Sequence, residues 1–367
     1  MSSWANRQLP RRRDLLQIPE GLRPPPPVPR GERTEVLVSE SYQIQETPSL
    51  EDGHPFFSPS SSSFSSLNPV YYPAGPSLPR STSSRSTVPS ELAPLLSSLT
   101  SQYSGVNPPH PEAKELTVGG KTYVFILLRH IRKPSDNDLW ISSYNSIRRY
   151  YTNKIVIIDD NSSLNTVNGK LYQTEILQSD FAGAGETLPY YYFLMHRWAD
   201  RIIFLHDTMF LYRPFRVEEV DTDARFHWSF TDKDASIRTR LTQFLPSLRN
   251  YQGLLSSVDK PDTWRACFGV AMIIGLPVVE QIEEKYKLFS TMTMMIRNRR
   301  DRQMAERLLG LVLFHEGVVT LETCSTFGDI LKYPKAFESE WSNLSTARYQ
   351  LEQAGYDSAL MKVWRGR

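Results

Sequence analysis

Cysteine is scarce in this chain: Cys267 and Cys324 are the only two in 367 residues. Two cysteines so far apart supply neither a disulfide framework nor a metal-binding spacing, and they suit a reducing compartment. Long apolar runs are also lacking. No stretch reaches the ~18 residues of a transmembrane helix, and the start, Met1-Ser2-Ser3-Trp4, lacks the apolar core of a secretory signal. A dominant charge is missing too. Lys+Arg 42 against Asp+Glu 40 leaves a net charge of +2, too balanced to make nucleic acid the main partner. These absences lead to the expectation of a soluble, cytoplasmic protein with no integral membrane segment. Internal repeats are absent.

Proline is plentiful but uneven. Of the 26 prolines, 19 lie at or before Pro111. The same region holds a four-proline run (24–27), a serine run (58–66) and a Ser/Arg-rich stretch (81–86). Such a segment buries too little apolar surface to offset the entropy of ordering. Residues 1–114 are therefore expected to be a disordered Pro/Ser-rich tail, polyproline-like in places and suited to recruiting protein partners. Within it, residues 35–45 have the composition of a strand formed on a partner, and 89–103 that of a short amphipathic helix. Residues 115–367 form the expected globular domain.

That domain alternates strands and helices. Residues 122–128 read as a buried strand ending at Arg129-His130. Residues 138–151 carry Leu139, Trp140, Tyr144, Ile147 and Tyr151 at helical spacing, with Asp136 or Asn137 as N-cap. Residues 154–158 are the next strand, which completes a βαβ unit. A third strand is expected at 172–177 and an aromatic helix from Leu188 to about Trp198, with Pro189 in its first turn. Further strands fall at 201–205, 226–230 and 266–274. Helices fall at 238–251, 277–286 and 301–313, and the last thirty residues read as a surface helix and tail. The pattern predicts an α/β fold, a Rossmann-type, mostly parallel sheet flanked by helices.

Two strands end in acid. Lys154-Ile155-Val156-Ile157-Ile158 stops at Asp159-Asp160, and Arg201-Ile202-Ile203-Phe204-Leu205 stops at His206-Asp207-Thr208. In open parallel sheets, ligands sit beyond the carboxyl ends of the strands. One carboxylate of the 159–160 pair can then bond a nucleotide's ribose or base while the other orients the loop. Asp207 can hold a divalent cation, Mg²⁺ or Mn²⁺, through oxygen. The plainer reading of each acid is a turn cap. Gly183-Ala184-Gly185-Glu186 opens a helix and can present N–H groups to an anion. The run Arg297-Asn298-Arg299-Arg300-Asp301-Arg302 is either a solvated face or a phosphate clamp. Asp301 sits at a helix start, as cap or as general base. Glu306 is expected to pair with Arg302 at i, i+4. His315 is either a capping or core histidine or a further metal ligand. Val118-Gly119-Gly120-Lys121-Thr122 only mimics a phosphate loop, because it precedes a strand and Glu115 stands where the first glycine belongs.

From Tyr123 to His315 the pattern resembles the GT-A fold of nucleotide-sugar-dependent glycosyltransferases. Val156-Ile157-Ile158-Asp159-Asp160-Asn161-Ser162 resembles the hydrophobic-Asp-Asp-x-Ser segment of its large inverting family. Leu205-His206-Asp207-Thr208 takes the place of the D-x-D motif, with one clear acid. Cys267-Phe268-Gly269-Val270-Ala271-Met272 resembles the acceptor-side strand. The stretch Gly185 to Phe193 with His206-Asp207 is also similar to uncharacterised GT-A-like proteins of large DNA viruses. The resemblance implies nucleotide binding by Asp159, Asp160 and Arg129, and a Mn²⁺ or Mg²⁺ site at Asp207 and His315. It also implies Asp301 as catalytic base. The expected activity is transfer of a sugar from a nucleoside diphosphate sugar to a carbohydrate or other hydroxyl acceptor, with inversion. The rival expectation is a catalytically degenerate domain serving as a binding scaffold, with the tail recruiting partners. A nucleotidyltransferase is a third.

Overall fold

The structure is a computed structural model, and it describes residues 105–164, 169–333, 349 and 351–363. The expected tail up to residue 104, with its strand at 35–45 and helix at 89–103, lies outside the described residues. A short strand, Thr117–Val118 (β1), turns back antiparallel onto Lys121–Arg129 (β2). Helix Pro134–Arg148 (α1) leads to Ile155–Asp159 (β3), and a loop leads on to Thr174–Gln178 (β4). Helix Leu188–His196 (α2) precedes Arg201–His206 (β5). β2 runs parallel to β3 and to β5, and β3 parallel to β4. From Tyr123 onwards β2 is buried, as is all of β3. That is why these segments are unbroken apolar runs: both faces of the sheet are covered.

The chain then adds Met209–Leu211 (β6), Ala224–Phe226 (β7), Ser229–Phe230 (β8), and helices Ala235–Phe244 (α3) and Gln252–Val258 (α4). Next come Ala266–Cys267 (β9) and Met272–Gly275 (β10), followed by helices Leu276–Tyr286 (α5), Leu288–Met295 (α6) and Arg299–His315 (α7). Leu360–Lys362 (β11) is the last described element. The main sheet has seven strands in the order β4-β3-β2-β5-β10-β7, with β1 beside β2. β10 is antiparallel to both its neighbours. β6 pairs with β11, and β8 with β9. This is an α/β fold with a mixed, mostly parallel sheet. The crossovers β2-α1-β3 and β4-α2-β5 run in opposite directions along the sheet. Right-handed connections therefore place α1 and α2 on opposite faces.

Several boundaries differ from the sequence expectation for physical reasons. Helix α1 starts at Pro134, with Lys133 as N-cap in extended conformation. Asp136 is the third helical residue, and its carboxylate accepts the N–H groups of Arg132 (3.1 Å) and Lys133 (3.3 Å). The described unit begins before Glu115. Asn107 N–H donates to Asn145 Oδ1 (2.8 Å), and His110 N–H to the Arg148 carbonyl (2.9 Å). The strand expected at 266–274 is broken by a tight turn, Phe268–Val270. The C-terminal strand β11 was not expected, nor was α6. Among the described residues, no helix is long and apolar enough to cross a membrane.

Candidate functional site

A cleft of about 520 Å³ opens at the carboxyl ends of β2, β3 and β5. Strand order reverses between β2 and β5, and such a switch point is where open α/β sheets bind ligands. Asp160 and Asp207 both line the cleft, together with Glu186 and Glu306. Facing these four carboxylates are six arginines (Arg129, Arg132, Arg297, Arg299, Arg302, Arg307) and Lys362. Arg129 and Arg307 are paired behind the wall with Asp159 and Asp232, so the cleft carries a small excess of positive charge, which suits an anionic ligand.

The paired acids of β3 divide their work, as successive residues of a strand point to opposite sides. Asp159 turns away from the cleft. Its Oδ2 lies 2.6 Å from Arg129 Nε with both side chains buried, and its Oδ1 accepts the Ser162 N–H (2.8 Å). Arg129 stacks over Trp140 at 4.9 Å. Asp159, expected to contact a nucleotide, thus closes the βα loop through an ion pair and lies outside the cleft lining, whereas Arg129, which it holds, lines the cleft. Asp160 faces the cleft. Its carboxylate accepts the N–H groups of Gly183 (2.7 Å) and Gly185 (3.1 Å). The anion expected at this helix start is the protein's own side chain. Burial raises the Asp160 carboxyl, against the Gly183 N–H that lowers it. His130 Nδ1 bonds the Asp160 carbonyl, and Arg132 Nε donates to His130 Nε2 (2.6 Å). The arginine is always a donor, so the proton of a neutral His130 is assigned to Nδ1.

Helix α7 enters the cleft by its N-terminal half. Asn298 caps it, accepting the Asp301 N–H (3.0 Å). Asp301 does not line the cleft. Its carboxylate accepts Arg240 Nε (2.8 Å) from α3 and the Arg297 N–H (3.2 Å). The carboxylate expected as base is thus tied to α3 and to the Arg297 backbone, outside the cleft lining. Arg302 reaches Glu186 (3.2 Å) rather than Glu306. Glu306 instead accepts the Gly269 N–H (2.8 Å) and Arg307 Nη1 (2.9 Å). Burial pushes Glu306 up to about 7, and the charge of Glu186 adds to the rise, against Arg307 and the Gly269 N–H. Burial likewise raises Glu186, against Arg302.

The turn Phe268–Val270 carries unusual backbone. Gly269 and Val270 both have positive φ, 62° and 56°, and a β-branched residue there is strained. Three contacts hold it: the bond to Glu306, His206 Nε2 at 2.7 Å from the Gly269 carbonyl, and Tyr190 Oη to the Val270 carbonyl. A Cβ on Gly269 would stand 2.9 Å from the His206 ring, so glycine is required here. Lys362 arrives from β11, its Nζ donating to Thr208 Oγ1 (2.5 Å).

His315 is not in the cleft. It is exposed at the far end of α7, beside Gly253. At 1.5 Å rise per residue, it lies about 20 Å along the helix from Arg302. Among the described residues, no three His, Cys, Asp or Glu side chains come together to hold a metal ion. The residues present do not fit the expected Mn²⁺ or Mg²⁺ as a resident ion, because Asp207 shares its cleft mainly with cations. Sequence reasoning missed Glu306 and Lys362. Glu306 carried a signal, its helical spacing from the basic run, but Lys362 is brought in by a strand 154 residues from Thr208. No protein-family model matches the chain, and no curated protein matches it.

Proposed function

We propose that the chain transfers a sugar from a nucleoside diphosphate sugar to a hydroxyl acceptor, with inversion. The observation that carries this reading is the convergence of Asp160 and Asp207 on one cationic cleft, with Glu306 in its wall. A volume of about 520 Å³ is within the range of small-ligand sites, roughly 300–1,000 Å³. The GT-A resemblance of the sequence supplies the donor class.

Each group has a role its chemistry permits. Arg132, Arg299 and Lys362 attract the diphosphate and stabilise the charge it gains on leaving. Asp160 keeps lone pairs beyond those used by Gly183 and Gly185, and with Asp207 it accepts hydroxyl hydrogens of the donor. Glu306 is the base. The acceptor oxygen bonds the anomeric carbon as the bond from that carbon to the diphosphate oxygen breaks. The diphosphate departs with the electron pair, and the acceptor proton passes to Glu306.

Titration calorimetry of the full chain with UDP- and GDP-sugars, with release of free sugar followed in parallel, tests the reading. Binding with slow hydrolysis of one donor is expected. Silence with every donor overturns it and leaves a binding scaffold.

A further inference from the structure

Behind the cleft wall, hydrogen bonds join Glu306 to a second, wholly buried carboxylate. Asp232 lies in the connection between β8 and α3 and is 2 % exposed. Its Oδ1 accepts Arg307 Nε (3.2 Å) and the Asp234 N–H (3.2 Å). Its Oδ2 faces Arg238 Nε at 3.8 Å and accepts no hydrogen bond among the described residues. Arg307 carries the connection onward. Its Nη1 donates to the Gln303 carbonyl (2.9 Å) and to Glu306 Oε2 (2.9 Å), and its guanidinium covers the Phe230 ring at 4.6 Å. Glu306 Oε1 accepts the Gly269 N–H (2.8 Å). One guanidinium is therefore held between two carboxylates, one in the cleft wall and one inside the protein.

A buried carboxylate is costly, and an apolar side chain of like volume would close the fold at least as well. Asp232 therefore needs a reason beyond packing. An arginine that serves a single carboxylate holds it well below the ordinary range, which would leave Glu306 a weak base at neutral pH. Asp232 offsets part of that positive charge. We infer that Asp232 is a positioning residue, which through Arg307 fixes the direction of the Glu306 carboxylate and keeps it basic. Asp232 does not itself line the cleft. The inference rests on the transfer reading, in which Glu306 takes the acceptor proton. Other groups also act on Glu306. Burial raises it, Arg307, the Gly269 N–H and Lys362 lower it, and Glu186 adds to the rise. On the same helix Arg302 is paired with Glu186. His206 bonds the Gly269 carbonyl, and Cys267 is buried nearby. Asp160 and Asp207 share the cleft. On α3, Arg240 is paired with Asp301, while Arg238 faces Asp232. All of these stay in place when Asp232 alone is changed.

The test follows the Glu306 carboxyl by carbon-13 NMR in the full chain without ligand, with the signal assigned by its loss in Glu306→Gln. Turnover of UDP- and GDP-sugars against pH is measured in parallel. Asp232→Asn keeps an oxygen for Arg307 Nε and removes the charge. The Glu306 midpoint and the acid limb of turnover are expected to move down together by about one pH unit. Plateau turnover is expected to fall about threefold as the base weakens, with KM for the donor unchanged. Arg238→Gln, at a side chain 27 % exposed, removes a cation from beside Asp232 and is expected to move midpoint and limb up by about half a unit. Opposite signs follow from charge, whereas a merely structural role would loosen the wall in the same sense in both variants. An unmoved midpoint in Asp232→Asn overturns the inference, as does movement of both variants in one direction. Where Asp232→Asn does not fold, Arg238→Gln decides alone: an upward shift supports the inference, and no shift overturns it. Turnover with an unmoved limb overturns the inference and leaves the transfer reading standing. No turnover of any donor removes the transfer reading, and the positioning role falls with it.

Discussion

A carboxyl group enclosed by protein yet open to a cleft is held nearer neutrality than one in water. Glu306 is such a group, with 17 % of its side chain accessible and burial pushing it up to about 7. A base works only when deprotonated, so turnover is expected to rise with pH through about 7. Glu306→Gln keeps an acceptor for the Gly269 N–H but cannot take a proton. It is expected to cut turnover about 10²- to 10⁴-fold and to abolish that acid limb. A limb unchanged in the variant would remove Glu306 from the role. Asp301 gives the contrasting expectation. Asp301→Asn loses the ion pair to Arg240, whose side chain is 42 % exposed, so the cost is about 1 kcal/mol of stability after allowing for solvent screening. Turnover is expected to stay within about twofold, since the displaced group lies outside the chemistry. A hundredfold loss in Asp301→Asn with stability intact would restore the sequence expectation. The two acids sit five residues apart on one helix; the residue pattern left Asp301 open as cap or base, and the GT-A resemblance is what implied it as the base. What separates them is the direction each side chain takes, which α3 and the Phe268–Val270 turn decide.

At the scale of elements, strands and helices differed in how openly the sequence shows them. β2, β3 and β5 were legible because burial on both faces leaves an unbroken apolar run. α1, α5 and α7 were legible through helical spacing. β10 and β11 were not. The Phe268–Val270 turn interrupts a run that reads as one strand, and its positive φ values come from contacts with Tyr190, His206 and Glu306, all remote in sequence. β11 exists only because β6 receives it. Two experiments address these long-range dependencies. Gly310 lets α7 approach β9, since a Cβ there would stand 2.2 Å from the Arg265 carbonyl oxygen. Gly310→Ala gains roughly 1 kcal/mol of helix propensity, but moving backbone is expected to cost about 3 kcal/mol or more. Urea unfolding should show a net loss; equal or greater stability would mean that the helix and strand are not in contact. Lys362→Met keeps the apolar stem in place of a buried ammonium. It is expected to weaken UDP or GDP binding about tenfold, as loss of one charge-assisted bond implies. Little change in melting temperature is expected. Full affinity in Lys362→Met would show that β11 only closes the fold.

For the whole molecule, the position of the candidate cleft was legible and its lining only in part. Two acid-ended strands on either side of β2 direct attention to the rim where the cleft opens, but which acid faces the cleft depends on packing that no local pattern records. The same packing sets how stability responds to pH. His227 is fully buried beneath the sheet, with Nε2 at 3.0 Å from the Phe204 carbonyl, and burial lowers it to about 4. Between pH 6.5 and about 4 the unfolded chain binds this proton and the folded chain does not, so stability falls as pH falls. Glu306 acts in the opposite sense. Its folded value of about 7 lies above the ordinary 4.5, so the folded chain binds the extra proton and stability is lost as pH rises through 7. The two slopes, each about 1.4 kcal/mol per pH unit, oppose one another between roughly pH 4.5 and 6.5. Glu306→Gln removes one of them. The difference in unfolding free energy, variant minus parent, is expected to grow from near its low-pH value at pH 4.5 by up to roughly 3 kcal/mol above pH 7. Taking the difference cancels every carboxylate the two chains share. Urea titrations from pH 4.5 to 8 measure it. A difference that stays flat across that interval would show that Glu306 ionises as an ordinary surface glutamate. It would then have no special standing as the base, because the enclosure that makes it costly to the fold is the same enclosure that makes it basic at neutral pH.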